Sequence, residues 1–286
     1  MKKGNISLVI KMLFFNILLY FVSRSSFGQD PRNILDSMFT SIDNLTAIEF
    51  KFRMEERLRN DQFIIHEGLI KSSLHPLKIY YYENKPHEGL EIIYHEDEKN
   101  LAIVHTNQFP RITIRAHPLD RIMRRERHYS LIESTIFPYM KEHLEHLVRE
   151  KSKPGSVQIE LIKNSTDSRY YELMILNHAY NIFKFKTNER IHSYHFSANN
   201  HINEYKLLEI NDLNYSKTFE RGEEICIPSD FAKIIILRIN RKNYMPYIIE
   251  IHDDKGLFEK YYFKRILINP IFCNDVFDSK NAKYHF

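Results

Sequence analysis

The chain has no tryptophan, only two cysteines and only seven glycines in 286 residues. The glycines, Gly4, Gly28, Gly68, Gly89, Gly155, Gly222 and Gly256, never come closer than 21 positions to one another. A phosphate-cradling loop needs several glycines within a few residues, so that backbone N–H groups can approach the anion. Their dispersal excludes the dinucleotide fingerprint, the Walker loop, the kinase loop and the nucleophile elbow. Cys226 and Cys273 carry no spacing signature. In an oxidising compartment they could pair across the 46 residues between them; otherwise they are two separate buried thiols. Cys226, in the apolar run Glu224-Ile225-Cys226-Ile227-Pro228, reads as inert.

Net charge is the third scarcity. The formal +4 comes from 41 Lys and Arg against 37 Asp and Glu. Lys2, Lys3, Lys11 and Arg24 fall in residues 1–28, which hold no acid, so the remaining chain carries 37 of each sign. A balanced body offers no electrostatic reason to bind nucleic acid. The basic segment instead reads as a secretory signal peptide: Met1-Lys2-Lys3, an apolar run Leu13 to Val22, then Ser26 and Gly28 at the small positions before a cut. Cleavage is expected after Gly28, give or take one residue; the alternative, a retained anchor helix, is disfavoured because a span needs about 20 apolar residues and Lys11 and Asn16 interrupt this run. The mature chain, 29–286, would then be one exported domain, soluble or loosely membrane-associated in the periplasm of a Gram-negative envelope. No later segment is long enough to cross a membrane.

What the chain has in abundance is aromatic and β-patterned. Phe and Tyr total 38. Asp30-Pro31 opens a helix to about Asp43, with Ile34, Met38 and Ile42 on one face. Ile48, Phe50, Phe52 and Met54 then alternate with charged residues, as in a half-buried strand. Strand runs follow at Phe63–Ile70, Leu77–Tyr82, Leu90–Tyr94, Leu101–His105 and Ile112–Ile114. A short basic helix, Pro118–Arg125, and a longer one, Ile132–Arg149, interrupt them. Strands resume at Val157–Ile162 and Tyr170–Leu176, followed by a poorly patterned stretch to about Tyr205 and strong strands at Ile234–Asn240, Tyr247–Ile251 and Phe258–Ile268. The expected class is α+β: a single curved antiparallel sheet of about 10–11 strands, an incomplete barrel wrapped around plugging helices.

The opening helix, the strand Ile48–Met54 and the central helical plug resemble the LolA/LolB-type fold of periplasmic lipoprotein carriers. An exported family of unknown function with that fold is similar in three C-terminal features. These are Pro228, Asp230 and Ala232; the run Asp253-Asp254-Lys255-Gly256-Leu257-Phe258-Glu259-Lys260-Tyr261 with Phe263; and Phe277-Asp278 with Asn281, Tyr284 and Phe286. Carriers of this type hold acyl chains in an incomplete barrel. The resemblance therefore implies a non-catalytic protein binding a lipid, a lipoprotein acyl chain or another hydrophobic ligand. The lining would be Ile48, Phe50, Phe52, Met54, Ile79, Tyr81, Ile92, Tyr94 and Ile103. A barrel filled by its plug would instead make an envelope scaffold with a protein partner; an enzyme with an unrecognised site is the remaining alternative.

No motif names a reaction, a cofactor or a metal. His143 and His146 read as an exposed polar helix face without a third ligand, and His192, His195 and His201 score no better. Asp253 and Asp254 read as turn formers before Gly256. Arg121, Arg124, Arg125, Arg127 and His128 form the one basic run: a solvated face, or a rim for anionic headgroups or an acidic partner.

Overall fold

A computed structural model describes residues 30–97, 100–124, 126–150, 155–162 and 167–286. The expected leader, 1–28, and Arg125 lie outside the described residues. Helix α1 (Pro31–Asp43) begins where Asp30 accepts a hydrogen bond from the Arg32 N–H at 2.9 Å, and Pro31 occupies the first turn. Its face of Ile34, Leu35, Met38, Phe39 and Ile42 is buried.

The strands β1 (Ala47–Arg57), β2 (Phe63–Leu74), β3 (Leu77–Lys85), β4 (Leu90–His95), β5 (Ala102–His105) and β6 (Thr113–Ala116) form an antiparallel meander. After the plug come β7 (Val157–Leu161) and β8 (Tyr170–Asn177), and later β13 (Ile234–Asn240), β14 (Pro246–Asp253) and β15 (Gly256–Ile268). All pair into one 11-stranded sheet in the order β6-β5-β4-β3-β2-β1-β15-β14-β13-β8-β7. Its first and last strands do not pair with each other, so the sheet is curved and unclosed, as expected. Gly68 is demanded by packing: a Cβ there would lie 2.0 Å from the Tyr82 carbonyl oxygen and 2.8 Å from the Phe52 ring.

The concave face closes on the plug. Helix α2 (Arg121–Arg124) is four residues long, and the long helix expected from Ile132 is divided. A 3-10 turn, Leu131–Glu133, comes first; Ile136, at φ 45°, then breaks the path, and α3 (Phe137–Glu145) starts afresh, running on into a wider turn at His146–Glu150. Pro138 explains the break: without an N–H it fits a first turn and not a helix interior.

The poorly patterned stretch is a small lobe inserted between β8 and β13. It holds β9 (Ile182–Lys186), β10 (Ile191–His192), α4 (Ser193–Asn199), α5 (Glu204–Ile210), β11 (Thr218–Phe219) and β12 (Glu224–Pro228), with β9 on β12 and β10 on β11. Phe196, Ile202, Leu207, Phe219, Ile225 and Ile227 give it a core of its own. Buried ions anchor it to the sheet. Lys206 on α5 reaches Asp253 at 2.7 Å, and Arg57 of β1, which binds Asp253 through both terminal nitrogens, lies 3.7 Å from Glu209 of α5; Arg124 ties the lobe to α2 through Glu204. Asp253 thus does more than turn the chain: its carboxylate joins lobe and sheet.

The opposite face of β3 and β4 is covered by the C-terminal tail. Tyr284 stacks on Tyr80 at 4.1 Å, and Phe277 packs with Tyr80 and Ile93. Ile103 belongs to this side. It lies opposite Ile93, while Ala102 and Val104 face the core, so the expected inward orientation of Ile103 is corrected by one residue of register. The cysteine pairing is corrected too: Cys226, half-buried, and Cys273, exposed, are both free.

Candidate functional site

Eight of the nine expected lining residues, Ile48, Phe50, Phe52, Met54, Ile79, Tyr81, Ile92 and Tyr94, are buried in the main core. They do not line an empty slot. Phe137 of α3 meets Phe50 edge-on at 5.2 Å and Phe263 at 4.7 Å, while Met140, Leu144 and Leu131 fill the space beside them. The void left among Met54, Glu56, Tyr81, Ile92, Tyr129 and Tyr261 measures about 30 Å³. That suits a water molecule; ligand pockets start near 300 Å³.

Beside this void the concave face turns polar. The segment Arg127–Ser130 crosses the interior, where each polar group needs a partner. Glu56 and Glu259 lie directly opposite on β1 and β15, both buried. His128 bridges them: its Nδ1 lies 2.7 Å from Glu259 and its backbone N–H donates to Glu56 at 3.3 Å. Its Nε2 lies 2.9 Å from the Arg57 carbonyl oxygen, so both ring nitrogens face acceptors and the imidazolium is the form that fits. The ring is stacked between Phe258 at 4.1 Å and Tyr205 at 4.3 Å. Tyr129 donates to Glu259, and Tyr261 donates to Glu56 at 3.2 Å.

Burial favours the neutral imidazole, but Glu56 and Glu259 outweigh it and raise the His128 pKa. Burial also raises Glu259, against the pull of His128. Both shifts express one fact: two carboxylates around one imidazole hold on to a proton. A second node centres on Glu83, which receives Arg127 at 2.8 Å, Tyr81 at 3.1 Å, His66 at 2.7 Å and His87 at 3.0 Å. Burial alone would raise this carboxyl, yet Arg127 and the two histidines hold it down at about 2. Glu56, His128 and Glu259 also present three ligand-type atoms within 4.8 Å of one another. Each of these atoms already has the hydrogen-bond partner named above.

The plug does not reach the edge of the sheet. Between β4, β5, β6, α2 and the loop 106–112 lies a groove of about 480 Å³, walled by Leu90, Ile92, Val104, Ile114, Ile122 and Met123. Met123 is buried, whereas Ile122 on the other side of α2 is 66% exposed, Phe109 98% and Ile112 45%. Ile92, Met123 and Arg127 line both the groove and the small interior void. Ile92 is thus the expected lining residue that reaches open space at this groove.

The basic run flanks this groove and divides in two. Arg121 is exposed. Arg124 and Arg127 are not the solvated face the charge pattern suggested: Arg124 is held by Glu204 and by Ser216 at 3.0 Å, and Arg127 by Glu83 and Tyr81. The histidines correct another reading. His143 is buried, not exposed, its pKa lowered to about 4 by burial, with His201 and His146 nearby; His146 stacks on His201 at 3.9 Å. His192 caps α4 through Nδ1, which accepts the Tyr194 N–H at 3.2 Å, and His195 is exposed.

The buried glutamates had a readable signal: Glu56 continues the parity of Ile48, Phe50, Phe52 and Met54, Glu83 that of Ile79 and Tyr81, and Glu259 that of Tyr261 and Phe263. A charge at an inward position marks a polar node. Phe109, Ile112 and Ile122 had none, because nothing local distinguishes an exposed apolar residue from a core one.

No family model and no curated protein matches the chain. Among solved structures, it aligns with a chain of the Pseudomonas aeruginosa MucA/MucB complex at 10% identity and a TM-score of 0.39, over 87% of this chain and 61% of that one. It covers 62% of the chain in a structure of MucB, so it spans about three fifths of that length. A LolA superfamily protein from Nitrosomonas europaea aligns at 10% identity and TM-score 0.31 (86% and 96% coverage). The lipoprotein LppX of Mycobacterium tuberculosis aligns at 9% and 0.37, with 85% and 99% coverage.

Proposed function

We propose that this is an exported, non-catalytic protein that binds a hydrophobic ligand at the mouth of its half-barrel rather than in its interior. The observation that carries the reading is the groove of about 480 Å³ with Phe109, Ile112 and Ile122 exposed around it. Large apolar side chains left in water at a concave site mark a place that something covers. Each ligand methylene buried there contributes about 0.8 kcal/mol. The catalytic alternative has less support, because the buried carboxylates and His128 are consumed by one another around a void of about 30 Å³. The test is titration of the purified protein with phenylnaphthylamine, a neutral apolar dye. Saturable binding that Ile122→Asp abolishes supports the reading; dye binding unaffected by Ile122→Asp and Phe109→Ser overturns it.

A further inference from the structure

We infer that the cleft on the other side of α2 is an anion site, so that the ligand of the groove is an amphiphile with an anionic head. This rests on the hydrophobic-ligand reading above and names the class of ligand. A cleft of about 1010 Å³ lies between sheet and lobe, and Ile122, Glu126 and Arg127 line both it and the groove. The two spaces thus abut at these residues, and a ligand spanning them would lay its chain among Ile92, Ile114 and Ile122 and its head past Arg127.

Four arginines line the cleft, against Asp120 and Glu126. Arg124 and Arg127 are spent on Glu204 and Glu83. Arg59 and Arg121 have no carboxylate partner among the described residues. Both are nonetheless held in place. Arg59 lies over the Tyr205 ring at 5.8 Å and donates to the Leu213 carbonyl, and its Nη1 is 3.4 Å from Asn214. Arg121 lies over the Tyr215 ring at 3.5 Å and donates to its hydroxyl. Asp120, whose carboxylate accepts the His117 N–H at 2.8 Å, forms no ion pair with either of them among the described residues. Two guanidinium groups on one cleft, each oriented by an aromatic ring and neither in an ion pair among the described residues, are available to a phosphate or carboxylate. Anchoring them in advance lowers the ordering cost of binding. Tyr205 also stacks on His128, so the wall of the cleft is braced by the buried cluster.

The test compares three probes by calorimetry on the full-length mature chain: dodecyl phosphate, neutral dodecyl maltoside and inorganic phosphate. Dodecyl phosphate is expected to bind about tenfold more tightly than dodecyl maltoside, as one well-placed charge-assisted contact would give. That advantage should disappear in Arg59→Gln/Arg121→Gln, and should shrink when salt rises from about 0.05 M to about 0.5 M. Inorganic phosphate should bind far more weakly than the alkyl phosphate. Equal affinity for the two dodecyl probes in the unmodified protein overturns the anion site and leaves the hydrophobic reading standing. Binding of inorganic phosphate as tight as dodecyl phosphate, with no dodecyl maltoside binding, overturns the hydrophobic reading and makes the cleft a site for a free anion. Absence of binding by all three overturns both.

Discussion

The interior and the mouth of this half-barrel are built from the same kinds of residue and treat them in opposite ways. In the interior, Glu56, Glu83 and Glu259 are buried, and each is matched by histidine, arginine or tyrosine. At the mouth, Ile122 and Phe109 stand in water, and Arg59 and Arg121 are held on aromatic rings with no ion pair among the described residues. Satisfied groups in a packed space hold a fold together; unsatisfied groups around an open space are available to a ligand. The proposed site follows from which groups remain unmatched, rather than from which residues are most apolar.

The largest effect should come from breaking the interior match. His128→Ala leaves Glu56 and Glu259 facing each other without their bridge and is expected to lower unfolding free energy by about 3–5 kcal/mol. Ile122→Ala at the mouth should change it by no more than about 0.5 kcal/mol. Urea denaturation of the two variants measures the contrast, and similar losses in both would erase the distinction drawn here.

Acid and alkali should act on the same contrast. The folded Glu83 carboxyl titrates near about 2 instead of 4.5, so it contributes stability above pH 4.5 that is lost as pH falls toward about 2. The loss is up to about 3 kcal/mol, by the conversion of 1.36 kcal/mol per pKa unit. His128 has the opposite sign. Its folded pKa is raised above 6.5, so its contribution is complete below 6.5 and is lost as pH rises through the higher folded value. Denaturation curves at a series of pH values should show both limbs, and His128→Gln should lose the alkaline one.

Two smaller effects sharpen the other side. Ile122→Asp should leave the melting temperature within about 2 °C of the parent while weakening dye binding at least tenfold, since a charge now sits where a chain would lie. Cys226→Ser/Cys273→Ser should cost less than about 1 kcal/mol, well below the 2–4 kcal/mol typical of removing a disulfide. Mass spectrometry after thiol alkylation without reductant should find Cys273 modified.

Much of this was legible in the chain because it follows from local periodicity. The limits of α1 fall at Pro31 and Asp43 because Asp30 and Pro31 signal the start and the four-residue spacing runs to Ile42. Strand alternation placed Phe50, Phe52, Ile79 and Tyr81 on one face, and it also held the parity that turns Glu56, Glu83 and Glu259 inward. Ile103 faces outward against expectation because two-residue alternation in a four-residue strand is indifferent to a register step; pairing with Ile93 decides it. The inserted lobe leaves no pattern in the chain because its strands and helices span only 2–7 residues, too few for a period to show.

The amino-acid sequence by itself determined the class of this protein: a curved antiparallel sheet, a helical plug, an electrically balanced body and no nucleotide-binding loop. These depend on composition and on neighbours a few residues apart. Only the tertiary structure decided whether the concavity is filled, which arginines keep a free charge and where apolar surface stays in water. Those questions concern residues as distant as Tyr129 and Glu259, or Arg124 and Glu204. Volume filled and charge matched are properties of groups the fold brings together, and no local pattern records them.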